Sequence, residues 1–158
     1  MSLHNLAVIL FQPEIPPNTG NIIRLCANAG FELHLVKPLG FPLDDTKLRR
    51  AGLDYHEYTS LVVHDTWGDC QRYFKNRRII AIETCGNCNY NEPQYVVDDV
   101  LLFGSETKGL PDYVLNCIKK ENVVRLPMLK GQRSLNLSNS VAIATYEVWR
   151  QLHFIGGV

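Results

Sequence analysis

Residues 6–11, Leu-Ala-Val-Ile-Leu-Phe, are apolar without interruption. A run of that length and β-branched character predicts a strand covered on both faces, and hence a parallel sheet between helices. The Gln-Pro-Glu-Ile-Pro-Pro stretch at 12–17 extends neither a strand nor a helix and is expected as a loop. The period then becomes helical. Ile22, Ile23, Cys26 and Ala29 share one stripe, Asn18 or Thr19 is placed to cap it, and Gly30 to end it. Phe31 to Val36 reads as a second strand.

The middle of the chain is less regular. Asp44-Asp45-Thr46 predicts the cap of a short basic helix reaching about Ala51, Tyr55 to Val63 holds a short strand, and Asp65-Thr66 caps a helix ending near Phe74. Arg78 to Glu83 is a further buried-strand pattern, followed by a polar loop from Asn87 to Gln94. Then come a strand from Val100 to Phe103, a helix opening at Pro111, a strand from Val123 to Leu126 and a long helix from about Ser138 to Leu152. Strands alternating with helices imply a single α/β domain over residues 1–158, five or six mainly parallel strands flanked by helices, with residues 1–5 partly disordered or foreign to it.

A chain of 158 residues, 46% of them apolar, can bury one core. No apolar run nears the roughly 18 residues of a membrane span, and the start is unlike a signal peptide, so a cytoplasmic protein is expected. Five cysteines, an odd number, suit a reducing compartment. Cys85 and Cys88 have the spacing of a zinc or redox pair, but no second pair or His-x-x-x-His follows, and an inert loop with no metal is the better reading. Sixteen basic residues balance sixteen acidic ones, so RNA binding would rest on local patches. Lys47, Arg49 and Arg50, and Lys130 with Arg133, are the candidates. Arg72, Lys75, Arg77 and Arg78 read as a solvated helix face.

Three turns rich in small hydrogen-bonding residues stand where α/β proteins hold ligands: 18–24 (Asn-Thr-Gly-Asn-Ile-Ile-Arg), 103–111 (Phe-Gly-Ser-Glu-Thr-Lys-Gly-Leu-Pro) and 133–140 (Arg-Ser-Leu-Asn-Leu-Ser-Asn-Ser). Gly104 permits close approach of a ligand to the backbone, and Gly109 is suited to a positive φ before Pro111. The second turn lacks the Gly-Lys-Ser/Thr ending of a triphosphate loop, and no Gly-x-Gly-x-x-Gly follows the first strand. Asn136 or Ser138 is expected to cap the last helix, yet the third turn has more such residues than one cap needs. His34 follows a strand pattern, while His56, His64 and His153 read as surface or satisfied residues. Glu83 and Glu106 are a possible carboxylate pair, Glu106 being expected to hold backbone amides near the Pro111 helix start.

Together these turns resemble the three motifs of the knotted SPOUT RNA methyltransferases, most closely the minimal TrmL or YibK branch, from Leu6 to about Leu152. The resemblance implies a deep C-terminal trefoil knot, which general topology rules would argue against. It implies S-adenosylmethionine as cofactor, S-adenosylhomocysteine as product, no metal, and a homodimer acting on tRNA rather than DNA or a membrane. The reaction is 2'-O-methylation of the wobble ribose, cytidine or modified uridine, of leucine tRNAs. The cofactor site maps to Ile82, Gly104 and Leu126 at three strand ends, with Ser134. Arg24, Asn18 and Asn136 take catalytic roles, Arg24 contacting RNA and assisting loss of the ribose hydroxyl proton; Lys47, Arg49 and Arg50 would meet the RNA. A noncatalytic RNA-binding module on the same fold and a ribosomal RNA ribose methyltransferase are the alternatives. The last helix itself suggests the homodimer, since Val141, Ile143, Ala144, Val148, Trp149 and Leu152 make a wider apolar band than one core contact needs.

Overall fold

Strand β1 (Ala7–Phe11) is buried at every position and lies inside a sheet, as its unbroken apolar run requires. The computed structural model describes residues 5–43 and 61–158. Helix α1 (Pro16–Ala29) and strands β2 (Glu32–Val36) and β3 (Val62–His64) follow, then helix α2 (Trp67–Tyr73), strands β4 (Ile79–Ile82), β5 (Cys88–Asn89) and β6 (Val100–Phe103), the short helix α3 (Asp112–Leu115), strand β7 (Val123–Arg125) and helix α4 (Leu137–Gln151). Among the described residues the seven strands form one sheet in the order β3-β2-β1-β6-β4-β7-β5, every pair parallel.

Alternate side chains of each strand enter different layers. Val8, Leu10, Leu33, Leu35, Leu101 and Phe103 pack beneath α1 and α4, whose Ile22, Ile23, Cys26, Val141, Ala144 and Val148 cover them. Ala7, Ile9, Val100 and Leu102 face the opposite layer with Trp67 and Cys70 of α2, Phe74 just past its end and Val114 of α3. Each such large apolar side chain contributes about 1.5–3 kcal/mol by leaving water. The core is therefore two-sided, and the sheet carries it.

Several elements differ from expectation. Pro16 and Pro17 begin α1 instead of blocking it, because proline has no N–H to leave unpaired in a first turn and its φ is already helical. Asn18 is consequently inside the helix, and Ile15 holds the cap position without a side-chain cap bond. The sheet has seven strands, not five or six, since Cys88 and Asn89 in the expected polar loop pair with Val124 and Arg125 on β7. Gly30 ends α1 at φ 79 and Thr66 caps α2 by accepting from Asp69 N at 3.1 Å, both as predicted. The basic helix expected after Asp44 and most of the strand expected from Tyr55 lie outside the described residues, with Lys47, Arg49 and Arg50.

Of the two readings of His64 the structure takes the satisfied one: it is 8% exposed, and its Nε2 lies 2.8 Å from Nδ1 of the fully buried His34, the rings stacked. One polar reading is corrected. Arg78 is not part of a solvated face. It grips the buried Asp99 through two bonds of 2.8 and 2.6 Å, while Arg77 donates to the Asp98 carbonyl at 2.9 Å. Arg72 and Lys75 do remain exposed.

Candidate functional site

The strands β6, β4 and β7 are neighbours in the sheet, and their carboxyl ends surround a cleft of about 300 Å³. Crevices at this edge of a parallel sheet are where such folds bind ligands, and the volume suits a small organic molecule. Ile82, Gly104 and Leu126 line it from the three strand ends, and Ser134 and Arg133 from the loop before α4. Ile82 and Leu126 are buried and apolar; Arg133, Ser134 and Lys108 are exposed at the mouth. All four residues expected to hold the cofactor therefore meet in one place.

Backbone shape controls this cleft. A Cβ on Gly104 would stand 2.2 Å from the Gly109 carbonyl carbon and 2.5 Å from Leu110 N, so no other residue fits there without displacing the turn. Gly109 itself has φ +65, as its place before the Pro111 helix requires. Glu83 holds the turn from beneath, its Oε1 accepting from Leu110 N at 2.6 Å. That is the role expected of Glu106, which the structure gives to Glu83 instead.

Glu106 reaches a different helix. Its carboxylate accepts from Glu14 N at 2.9 Å, Ile15 N at 2.5 Å and the Asn18 side-chain amide at 3.4 Å, at the start of α1. A helix opening with two prolines has lost two of its first donors, and Asn18 N and Thr19 N turn back to the Ile15 carbonyl at 3.1 and 3.4 Å; the carboxylate takes the two amides just ahead of the helix and meets the positive end of its dipole. Glu14 returns the contact: its carboxylate accepts from the Thr107 hydroxyl at 2.7 Å, which holds its carboxyl below the usual carboxylate range. The β1–α1 and β6–α3 loops are thus clasped in both directions. From Asn18 the network continues to the third turn, where the Asn136 side-chain amide donates to Asn18 Oδ1 at 3.0 Å.

Asn136 also caps α4, its Oδ1 accepting from Asn139 N at 3.3 Å and from the Ser138 hydroxyl at 2.6 Å. Capping and the link to Asn18 use different atoms of one amide. Arg24 is exposed on the third turn of α1, on a different face of the helix from Asn18. Glu14 is the residue that sequence reasoning missed here, and Glu106 was expected at the wrong helix; nothing local to either residue signals a partner some ninety residues away. All five cysteines are free, and burial pushes the Cys70 thiol up to about 12.

The cleft fits an adenosine with a methionine tail. It has a buried apolar end between Ile82 and Leu126, a backbone laid bare at Gly104, and basic and hydroxyl side chains at its mouth for a carboxylate. Among the described residues no group of three or more His, Cys, Asp or Glu side chains is placed to hold a metal ion, and no helix is long and apolar enough to cross a membrane.

Comparison with known proteins agrees with this geometry. The family described as the SpoU rRNA Methylase family matches residues 5–146. The tRNA (cytidine(34)-2'-O)-methyltransferase of Methylovorus glucosotrophus is 54% identical over 151 residues, covering 96% of this chain and 98% of its own. A solved structure described as giving insights into the 2-OH methylation of C/U34 on tRNA is 41% identical, with a TM-score of 0.88 over 96% of this chain and 98% of that one. The AdoMet-bound rRNA methyltransferase from Sinorhizobium meliloti is 25% identical, with a TM-score of 0.80 over 94% of this chain and 57% of that one.

Proposed function

The chain belongs to the SpoU methylase family, and on that premise we propose that it is the S-adenosylmethionine-dependent enzyme that methylates the ribose 2'-oxygen of the wobble nucleotide, cytidine or modified uridine, in leucine tRNAs. The observation that carries this is the cleft at the ends of β4, β6 and β7, bound through Glu106 and Asn18 to the Asn136 turn. The curated relative of Methylovorus glucosotrophus, more than half identical, supports tRNA as substrate and position 34 as target.

Bound in this cleft, S-adenosylmethionine supplies a methyl group on a sulfonium that is already strongly electrophilic. What remains for the chain is to orient the ribose and to assist loss of its proton. Ile82 and Leu126 form the wall for the adenine, Gly104 lets it approach the backbone, and Ser134 offers a hydroxyl at the mouth. Asn18 and Asn136, holding one another, fix the third turn beside the first. Arg24 is the planar cation that grips ribose and phosphate and stabilises the oxyanion as it forms. Its exposure on α1 supports this role.

The same reading includes a cytoplasmic homodimer with a deep C-terminal knot, and RNA contacts from Lys47, Arg49 and Arg50. The outward apolar side chains of α4, Ile143 at 40% and Tyr146 at 43% exposed, support the dimer. Nucleoside mapping by mass spectrometry of RNA from a strain lacking the gene tests the whole reading. Loss of the 2'-O-methyl mark at position 34 of leucine tRNAs is expected; loss from ribosomal RNA with intact tRNAs would overturn it in favour of the alternative substrate.

A further inference from the structure

Two carboxylates line the cleft, and they are not equivalent. Glu106 spends its acceptor capacity on three donors at the start of α1. Glu83 follows Ile82 directly at the end of β4, half-buried, with Oε1 accepting from Leu110 N at 2.6 Å and Oε2 from Thr84 N at 3.2 Å. A carboxylate offers about four lone-pair directions, so two bonds leave it able to accept more. Glycine at 109 is what lets the carboxylate sit there: a Cβ on Gly109 would lie 2.6 Å from Glu83 Oε1, and Glu83 still lines the cleft.

We propose that Glu83 is a specificity-determining residue of the cofactor cleft, its carboxylate accepting hydrogen bonds from the vicinal hydroxyls of the adenosine ribose. This rests on the cofactor reading above and assigns Glu83 a task within it. The buried apolar end of the cleft is formed by Ile82 and Leu126, where a base would stack, and the sugar is one bond from the base. Glu83, one residue from Ile82, is therefore the acceptor beside the sugar rather than beside the methionine tail, for which Lys108, Arg133 and Ser134 stand at the mouth. Hydroxyls donating to a carboxylate make bonds about twice as strong as neutral pairs. The same charge repels a phosphate on the sugar, so the cleft selects unphosphorylated adenosine. A purely mechanical brace for the Gly109–Leu110 turn would need only one oxygen.

Titration calorimetry on the full chain, alone and with total tRNA present, tests this with S-adenosylhomocysteine and its 2'-deoxy and 3'-deoxy forms. Wild type is expected to bind the deoxy forms about ten- to a hundredfold more weakly than the parent, the scale of a hydrogen bond to a charged group. Glu83→Gln keeps an oxygen for Leu110 N but replaces an acceptor by a donor. It should bind the parent compound weakly and distinguish the deoxy forms by less than about threefold, with an unchanged melting temperature. Wild-type affinities equal for all three ligands would overturn the proposal without any variant, and so decide it even if Glu83→Gln failed to fold. A folded Glu83→Gln that keeps the wild-type ratio would overturn it too, leaving Glu83 as a brace. Wild type that binds none of the three would overturn the cofactor reading, and this proposal with it.

Discussion

Arg24 is the residue on which the proposed mechanism turns. A ribose hydroxyl does not ionise at neutral pH unaided, and the imidazoles at His34 and His64 are spent on one another, away from the cleft. Arg24→Ala should therefore leave cofactor affinity near wild type while methyl transfer on saturating tRNA falls by about two to four powers of ten. Arg24→Lys should recover little, because a point charge does not replace a planar fork. Single-turnover rates beside calorimetric affinities check both statements. Gly104 makes the opposite prediction. Its missing Cβ would collide with backbone at 2.2 Å, so Gly104→Ala should destabilise the fold by roughly 1–3 kcal/mol and abolish cofactor binding. A melting curve and a titration of the same variant would show whether both fall together.

At the scale of elements, the edge pair β2 and β3 carries a pH dependence. His34 is buried between Tyr73 and Phe74 with His64 stacked on it, and burial, then the neighbouring His64, holds its imidazole below the ordinary value of 6.5, Glu32 opposing. Burial lowers His64 as well. An imidazole depressed in the folded state binds its proton first in the unfolded chain, so its contribution to stability is complete above about pH 6.5 and drains as pH falls. The carboxyls of Glu14, Asp69 and Glu147, held low by Thr107, Thr66 and Arg150 first of all, drain only further down, below the ordinary carboxylate values of 3.8–4.5. Melting temperature should thus fall between pH 7 and 5 in wild type, and His34→Gln should flatten that part of the curve. Helix α1 shows another element-level effect: the two amides leading into it are held by Glu106 from a distant loop.

For the whole molecule, one face of α4 is satisfied by the core and another is not. Val141, Ala144 and Val148 are buried, whereas Ile143 and Tyr146, and Phe154 and Ile155 in the turn that follows, are exposed. Replacing Ile143 and Tyr146 together by glutamate should convert a dimer to a monomer in sedimentation without unfolding it, since neither belongs to the core. Charge makes a further whole-molecule prediction. With sixteen basic and sixteen acidic residues the net field draws no RNA, so affinity must come from local cations. Neutralising Lys47, Arg49 and Arg50 together should flatten the log-log salt dependence of tRNA binding by up to about two or three units while cofactor affinity holds.

The sequence by itself determined the strands whose apolar runs admit no alternative, the caps at Gly30 and Thr66, and the turns at 103–111 and before α4, because each is written in local residue type and spacing; residues 18–24, expected as a turn, lie inside α1. Ile82, Gly104, Leu126 and Ser134 were legible through the family motifs and do converge on one cleft. Tertiary structure alone decided which carboxylate serves which helix. Glu106 accepts from Glu14 N and Glu14 in turn accepts from Thr107, each across more than ninety residues of chain, and local periodicity is silent about partners that far apart. It also decided what meets the amides of Glu14 and Ile15 ahead of α1, since Glu106 comes within reach only once the sheet has brought β1 beside β6. Cys88 and Asn89 became a strand for the same reason: two residues have no pattern of their own, and only the edge of β7 makes them one.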